Sequence, residues 1–394
     1  MSTFTINYLL GISVVIVFCV LFYYFIDRYN NRRIKRENEE AAKWVKSFRW
    51  NEDLANRFVS DYKLPISITN DENIFIYQLH LYEDGWHALT LWNNLWQMID
   101  ERYDGSAGQF LDDYYQIRER IIKETSESAA YKKFNEMDMK EFAVTNRPKV
   151  SKKDIYNGES IDKTFISVDL KKANFQALRF VDPEIVRHTD SYEAFIGTFT
   201  DLNYVKTSKY TRQVIFGKLN PSRHISVEQF IINDIWRYLK ETSVYKRFFN
   251  DDTIVSMSND EIVVQVPDDF EDATVLCLDE FVNDNLGLNV HTEVFKLECW
   301  QLKSKKNGHT RVTFFVKKFL DGRPDKLMCV PNPYHAIIWK LYNGREVNIY
   351  DRHFVYEKVD CLFNEDFELV QLSKDDYSHQ QKKKKEETEQ QKGE

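Results

Sequence analysis

From residue 5 to residue 26 the chain carries no charged side chain, and directly behind this run stand Arg28, Arg32, Arg33, Lys35 and Arg36. As a helix, the run would extend roughly 33 Å, enough to cross a bilayer core. It predicts a transmembrane helix over residues 5–26 behind a short tail at 1–4. A cleaved signal peptide would need a basic start, a shorter apolar run and a small-residue cleavage site, and none is present. The N-terminal flank has no Lys or Arg, so the positive-inside rule places the C-terminal body in the cytoplasm. Tyr8, Tyr23 and Tyr24 fall at the two interfaces.

A charged juxtamembrane linker or helix follows over 27–71, and a mainly helical region over 72–149. In the latter, Trp86, Leu89, Leu91, Trp92, Leu95, Trp96 and Ile99 recur at mixed helical spacing. Breaks at 105–108 and 146–149 divide it. From about 150 the period changes to two. Residues 164–170 alternate as a strand, with Phe165, Ser167 and Asp169 on one face. Residues 253–266 are apolar on both sides of the polar stretch 258–261, the pattern of two strands joined by a hairpin tip. Between these lies a helical run, 226–241, with Phe230, Ile231, Ile235, Trp236 and Leu239 facing a core. A helix over 270–285 and a strand over 295–302 follow. Residues 311–319 alternate basic and aromatic positions, which reads as an edge strand protected by lysines. The expected body is therefore α+β, with an antiparallel sheet and packed helices over 150–320. Residues 321–378 add a small α/β appendage with a helix at 334–342. The stretch 379–394 is low-complexity and is expected to be disordered.

The body after residue 40 is long enough for a sizeable core, and 15% of the chain is aromatic. The five Cys (19, 277, 299, 329 and 361) are scattered without a Cys-x-x-Cys pair, against a disulfide framework or a structural zinc site. The nine His lack metal-ligand spacing, and no Gly-rich phosphate loop or nucleophile elbow occurs. These absences set aside P-loop NTPases, Rossmann enzymes and zincins.

The candidate chemistry lies in three stretches in order. Asp169 closes the first strand, Lys206, Lys209, Arg212, Lys218 and Arg223 cluster within eighteen residues, and Asp260 and Glu261 sit at the hairpin tip. Carboxylates brought together by adjacent strands suit Mg²⁺, which takes one or two of them and completes its shell with water and substrate phosphates. Arg212 and Lys218 are the foremost candidates for holding a triphosphate. The net charge of −8 is unfavourable for nucleic acid as a sum. A positive face built from 206–223 and from Lys303, Lys305, Lys306, Arg311, Lys317 and Lys318 would still suffice.

The first stretch resembles motif A of palm-domain polymerases, where an Asp ends a strand and a small residue and an aromatic follow, as Ala173 and Phe175 do here. The Asn259-Asp260-Glu261 tip resembles motif C. It is similar to the corresponding triplets of family-A and Y-family DNA polymerases, and its hairpin is similar to that of reverse transcriptases. The spacing of about ninety residues between Asp169 and Asp260 is similar to the last two groups. Asn220, Pro221 and Gln229 resemble a loosened motif B. The resemblance covers roughly residues 160–320 and implies a ferredoxin-like palm. It also implies Mg²⁺ or Mn²⁺ held by Asp169, Asp260 and Glu261, and two-metal nucleotidyl transfer using a nucleoside triphosphate and a nucleic-acid template. The pattern departs from these families in three places. Lys171 replaces the second motif-A acid of Y-family enzymes. Asn174 takes the place of the residue that screens the sugar 2′-hydroxyl, with Phe175 one position later. Asn259-Asp260 replaces an acid pair in the reverse-transcriptase register, while Asp260-Glu261 is intact in the other. The composition, rich in Asn, Tyr, Phe and Lys, suits a virus or another AT-biased genome. The alternative is a catalytically inactive, membrane-tethered interaction or assembly protein with a palm-like fold.

Overall fold

Strand β1 (Thr164–Leu170) lies between β3 (Glu261–Val266) and β4 (Val290–Ser304), antiparallel to both. In this computed structural model, residues 48–148, 150, 155–268, 270 and 273–380 are described. The chain divides into two units, Met1–Asn51 and Glu52–Glu394. In the first, residues 48–51 are described and form no regular element. The transmembrane helix expected at 5–26 and most of the tail expected at 379–394 lie outside the described residues. Among the described residues no helix is long and apolar enough to cross a membrane.

The second unit is α+β. Its helices begin with α1 (Glu52–Tyr62), α2 (Glu72–Leu81), α3 (Glu83–Trp86), α4 (Ala88–Tyr103), α5 (Ala107–Glu127) and α6 (Ala129–Glu136). After β1 come α7 (Ala173–Val181), α8 (Tyr192–Gly197), α9 (Asn203–Thr207), α10 (Lys209–Lys218) and α11 (Pro221–Glu241). The hairpin of β2 (Ile254–Met257) and β3 follows, then α12 (Leu278–Leu286) and β4. The remaining elements are β5 (Thr310–Phe319), β6 (Lys326–Met328), α13 (Asn332–Tyr342), β7 (His353–Tyr356), β8 (Val359–Leu362) and β9 (Phe367–Leu372). Across the main sheet the order is β2-β3-β1-β4-β5-β6, and β9 pairs with the far half of β4 on the side that β1 occupies along its near half. The sheet thus continues past residue 320, because β4 is twice as long as β1 and leaves backbone groups that β9 satisfies.

Period-two alternation sorts the side chains. Ile166, Val168 and Leu170, with Ile262, Val264 and Val290 beside them, are buried on the face covered by α7, α11 and α12. Phe165, Val263, Phe295, Leu297 and Phe315 form a core on the other face, covered by Ile155, Ile161, Tyr156 and Tyr377. That cover stops short of Ser167 and Asp169, and a cleft opens there. Residues 311–319 are not an edge strand over their whole length: β6 pairs with Phe315, Val316 and Lys317. Lys317 is buried and bonded to Glu293 at 2.7 Å.

Two backbone features fix the ends of β1 and β4. Lys172 adopts a left-handed conformation (φ +53°), which turns the chain from β1 into α7 and leaves Asp169 at the strand exit. Gly287 (φ +65°) closes α12 before β4 begins.

In the helical region Asp61 of α1 is fully buried. Its carboxylate accepts from Tyr114 of α5 at 2.8 Å, Tyr204 of α9 at 2.7 Å and Ser208 at 2.8 Å, and pairs with Arg57 at 3.2 Å. Ser208 also caps α10, accepting from the Thr211 amide. One carboxylate therefore fixes where α10 starts.

Candidate active site

Asp169 is paired with Glu261 across β1 and β3, and with His291 across β1 and β4. Directly opposed residues of antiparallel strands project to one side, so these three side chains form a row at the open end of the sheet. The next row holds Ser167 and Glu293. Ser167 Oγ donates to Glu261, and Glu293 is held by Lys317. These residues line a cleft of about 810 Å³.

The tip carrying Asp260 is firmly built. The Ser258 amide donates to the Glu261 carbonyl at 2.9 Å, and Ser258 Oγ donates to Asp260 at 3.0 Å. The Leu170 amide donates to the Asp260 carbonyl at 2.7 Å, which fastens the tip to the end of β1. Arg147 donates to the Met257 and Ser258 carbonyls, both at 2.6 Å, and Gln229 of α11 donates to Asn259 at 2.7 Å.

Burial first, then the charges of Asp260, Glu261 and Glu293, push the Asp169 carboxyl up to about 7, with Lys209 as the opposing cation. Glu228 on α11 is likewise buried and raised to about 7, by desolvation first and by Asp260 as well, while the hydrogen bond from Asn174 opposes the shift. Acids so crowded are short of positive charge. Glu228→Gln isolates this effect. Below the ordinary carboxylate range both side chains are neutral. As pH rises toward 7 the folded Glu228 keeps a proton that the unfolded chain has lost, and wild-type stability falls. At pH 8 the Gln variant is expected to be more stable by roughly 2 kcal/mol, and at pH 4 the two should melt together. Thermal melts at the two values check this.

The donor set fits a hard divalent ion. Among the described residues no group of three or more His, Cys, Asp or Glu side chains is placed to hold a metal ion, so Asp169, Asp260 and Glu261 do not form a three-ligand site by themselves. A Mg²⁺ site that draws on substrate phosphates needs only one or two protein carboxylates. Asp169, with Asp260 and Glu261 beside it, supplies these, and a cation there would relieve the mutual repulsion.

Positive charge gathers at the neighbouring helix start. Lys209 remains open to solvent at the head of α10, yet its ammonium pKa is lowered, first by desolvation and then by Arg212, Lys326 and Lys63, with Asp169 opposing. Lys63, Arg212 and Lys326 thus stand near Lys209; Lys326 lines the cleft, and Lys209 is the one that opposes the shift of Asp169. Arg212 belongs to this group, and its guanidinium also lies 5.7 Å from the Tyr192 ring centre. Lys218, at the other end of α10, is exposed; Lys209, Arg212 and Lys218 are all outside the lining of the cleft. Phe175 is 2% exposed and packs against Phe195 in the core, because the turn at Lys172 starts α7 with that position facing inward. It does not reach the cleft, and Asn174 is engaged by Glu228.

Lys209 was one of several basic residues in the sequence, with nothing to single it out. His291, Glu293, Lys326 and Arg147 had no signal beyond the alternation of His291, Glu293 and Phe295, which becomes meaningful once β4 is known to flank β1. Comparison with protein-family models, with curated proteins and with solved structures found no match to this chain.

Proposed function

We propose that this chain is a metal-dependent nucleotidyltransferase of the palm type, template-dependent in its action and tethered to a membrane by residues 5–26, with its body on the cytoplasmic side. The observation that carries this reading is the placement of Asp169 and Glu261 opposite each other on adjacent central strands, with Asp260 at the joining tip and Lys209 close by. The strand and helix order β1, α7–α11, β2, β3, α12, β4, with spatial order β2-β3-β1-β4, supports it as well. This is the β-α-β-β-α-β arrangement of ferredoxin-like folds, with helices on one face and Asp169 and Glu261 in the cleft on the other.

In this reaction the 3′-hydroxyl oxygen of a primer forms a bond to the α-phosphorus of a nucleoside triphosphate. The bond from that phosphorus to the bridging oxygen breaks, pyrophosphate leaves with the electron pair, and the hydroxyl proton passes to water. Mg²⁺ or Mn²⁺ held by Asp169, Asp260 and Glu261 would supply charge neutralisation and a more acidic attacking hydroxyl. The protein's own part is positional. Arg147, Gln229 and the Leu170 amide hold the tip that presents Asp260. Ser167 orients Glu261, and the Asp61 network sets the start of α10, so that Lys209 and Arg212 receive the charge of the β- and γ-phosphates.

The test is incorporation of labelled nucleotide by the full-length protein in detergent, on primed DNA and RNA templates, with Mg²⁺ or Mn²⁺. Incorporation that requires the metal supports the reading. Its absence on both templates with folded protein would leave the inactive assembly module. Lys209→Ala is expected to raise the KM for nucleotide about tenfold or more with a smaller change in kcat, because a phosphate contact already made in the ground state is lost. Steady-state kinetics at varied nucleotide concentration decide this.

A further inference from the structure

A second cavity adjoins the cleft, about 470 Å³ in volume, and Glu293 and Lys326 line both. Its walls carry Trp86, Trp339, Phe319, Lys63, Arg323 and Lys326. Trp86 and Trp339 are each half-buried and meet edge to face with ring centres 4.8 Å apart. The buried rings of Tyr82 and His335 support Trp86 at 5.2 and 5.6 Å. The Arg323 guanidinium lies 4.4 Å from the Phe319 ring centre, its Nε donates to Asp321 at 2.7 Å, and its Nη1 is 3.5 Å from His291 Nε2, a member of the row that contains Asp169. The acids of this cavity are engaged elsewhere: Glu293 by Lys317 at 2.7 Å, Asp325 by Lys318 at 3.2 Å and Tyr342 at 2.7 Å.

We infer that this cavity is a binding groove for single-stranded nucleic acid, which carries a strand to or from the acid cluster. The inference rests on the proposed function for the direction of the strand, and on its own geometry for the binding. Aromatic faces accept any base by stacking, and cations spaced between them track the phosphates, so the two together favour a single strand over an apolar protein segment. Continuity supports the same occupant, since Lys326 and the Arg323–His291 contact join the groove to the cleft. Trp86 and Trp339 come from α3 and α13, Lys63 follows α1, Phe319 and Lys326 belong to β5 and β6, and Arg323 lies in the turn between these strands, all outside the β-α-β-β-α-β core.

The experiment is fluorescence anisotropy of labelled twelve-nucleotide oligo-dT and oligo-U with the full-length protein in detergent and EDTA, across a salt series. Wild type is expected to bind, more tightly as salt falls. The Trp86→Ala, Trp339→Ala double variant is expected to bind about tenfold more weakly or worse. Arg323→Ala should flatten the plot of log affinity against log salt by about 0.7. Arg323 lies on a surface turn, so that variant keeps the test open even if the double Trp variant does not fold. Preference for one oligonucleotide would identify DNA or RNA as the strand. Unchanged affinity in the folded Trp variant, together with an unchanged salt slope for Arg323→Ala, overturns the inference. So does a failure of wild type to bind either strand, which would leave the groove to a protein partner. Groove-dependent binding without incorporation would uphold the inference while sinking the polymerase reading, and incorporation with groove-independent binding would do the reverse.

Discussion

Asp169→Asn is expected to abolish nucleotide incorporation, by about 10³-fold or more, while making the metal-free protein more stable at pH 8. The loss follows from removing the central carboxylate of a site in which metal-held charge supplies several kcal/mol of transition-state stabilisation. The gain follows from the crowding of Asp169 by burial and by Asp260, Glu261 and Glu293, which lifts its pKa from 3.8 to about 7. Between those values the folded protein holds a proton that the unfolded chain has released. Wild-type stability therefore declines as pH rises through this window, and the decline is complete above about 7. Asn has no proton to lose. The variant should exceed wild type by on the order of 1–2 kcal/mol at pH 8, after allowance for solvent screening, and match it near pH 3. Added Mg²⁺ should stabilise wild type and leave the variant unmoved. Melts with and without Mg²⁺, beside the incorporation assay, decide the matter. A variant that is less stable than wild type at pH 8 would mean that Asp169 is held by structural partners and is not poised for a cation.

Asp61→Ala is expected to cost about 3–5 kcal/mol of stability, with a fall in Tm on the order of 10 °C. The carboxylate is fully buried, and its removal leaves Tyr114, Tyr204, Ser208 and Arg57 without their shared acceptor. Denaturant unfolding followed by circular dichroism measures the loss. Because Ser208 also caps α10, the surviving folded fraction should resemble Lys209→Ala, with a raised KM for nucleotide. Asp61→Asn keeps an acceptor for part of the network and should fall between. A loss under 1 kcal/mol for Asp61→Ala would refute the view that this network sets the start of α10.

The strands were legible because period two survives in short segments: Phe165, Ser167 and Asp169 on one face, and apolar residues on both sides of Ser258 and Asn259. The hairpin tip was legible for the same reason, and so was the acid at each of two strand ends. The basic segment was legible only as composition. It folds as α9, α10 and the start of α11, and the helical spacing that separates Lys209 and Arg212 from Lys218 depends on where α10 begins. Asp61, about 150 residues upstream, determines that start. Phe175 illustrates the same limit. Its place after the motif-A Asp suggested a role beside the substrate, but the left-handed turn at Lys172 rotates α7 so that Phe175 enters the core.

By itself the sequence determined the strand at 164–170, the hairpin at 253–266 and the helix at 226–241, that acids stand at two strand ends, and that an uncharged run of twenty-two residues precedes a basic flank. Local periodicity and side-chain chemistry suffice for that. The tertiary structure alone decided that β3 and β4 flank β1, which sets Glu261 and His291 opposite Asp169, and that Lys209 and Lys326 arrive from distant elements to face the acids. Strand register and helix placement are set by long-range packing and by buried networks such as that of Asp61, whose partners carry no mark in the chain until it has folded.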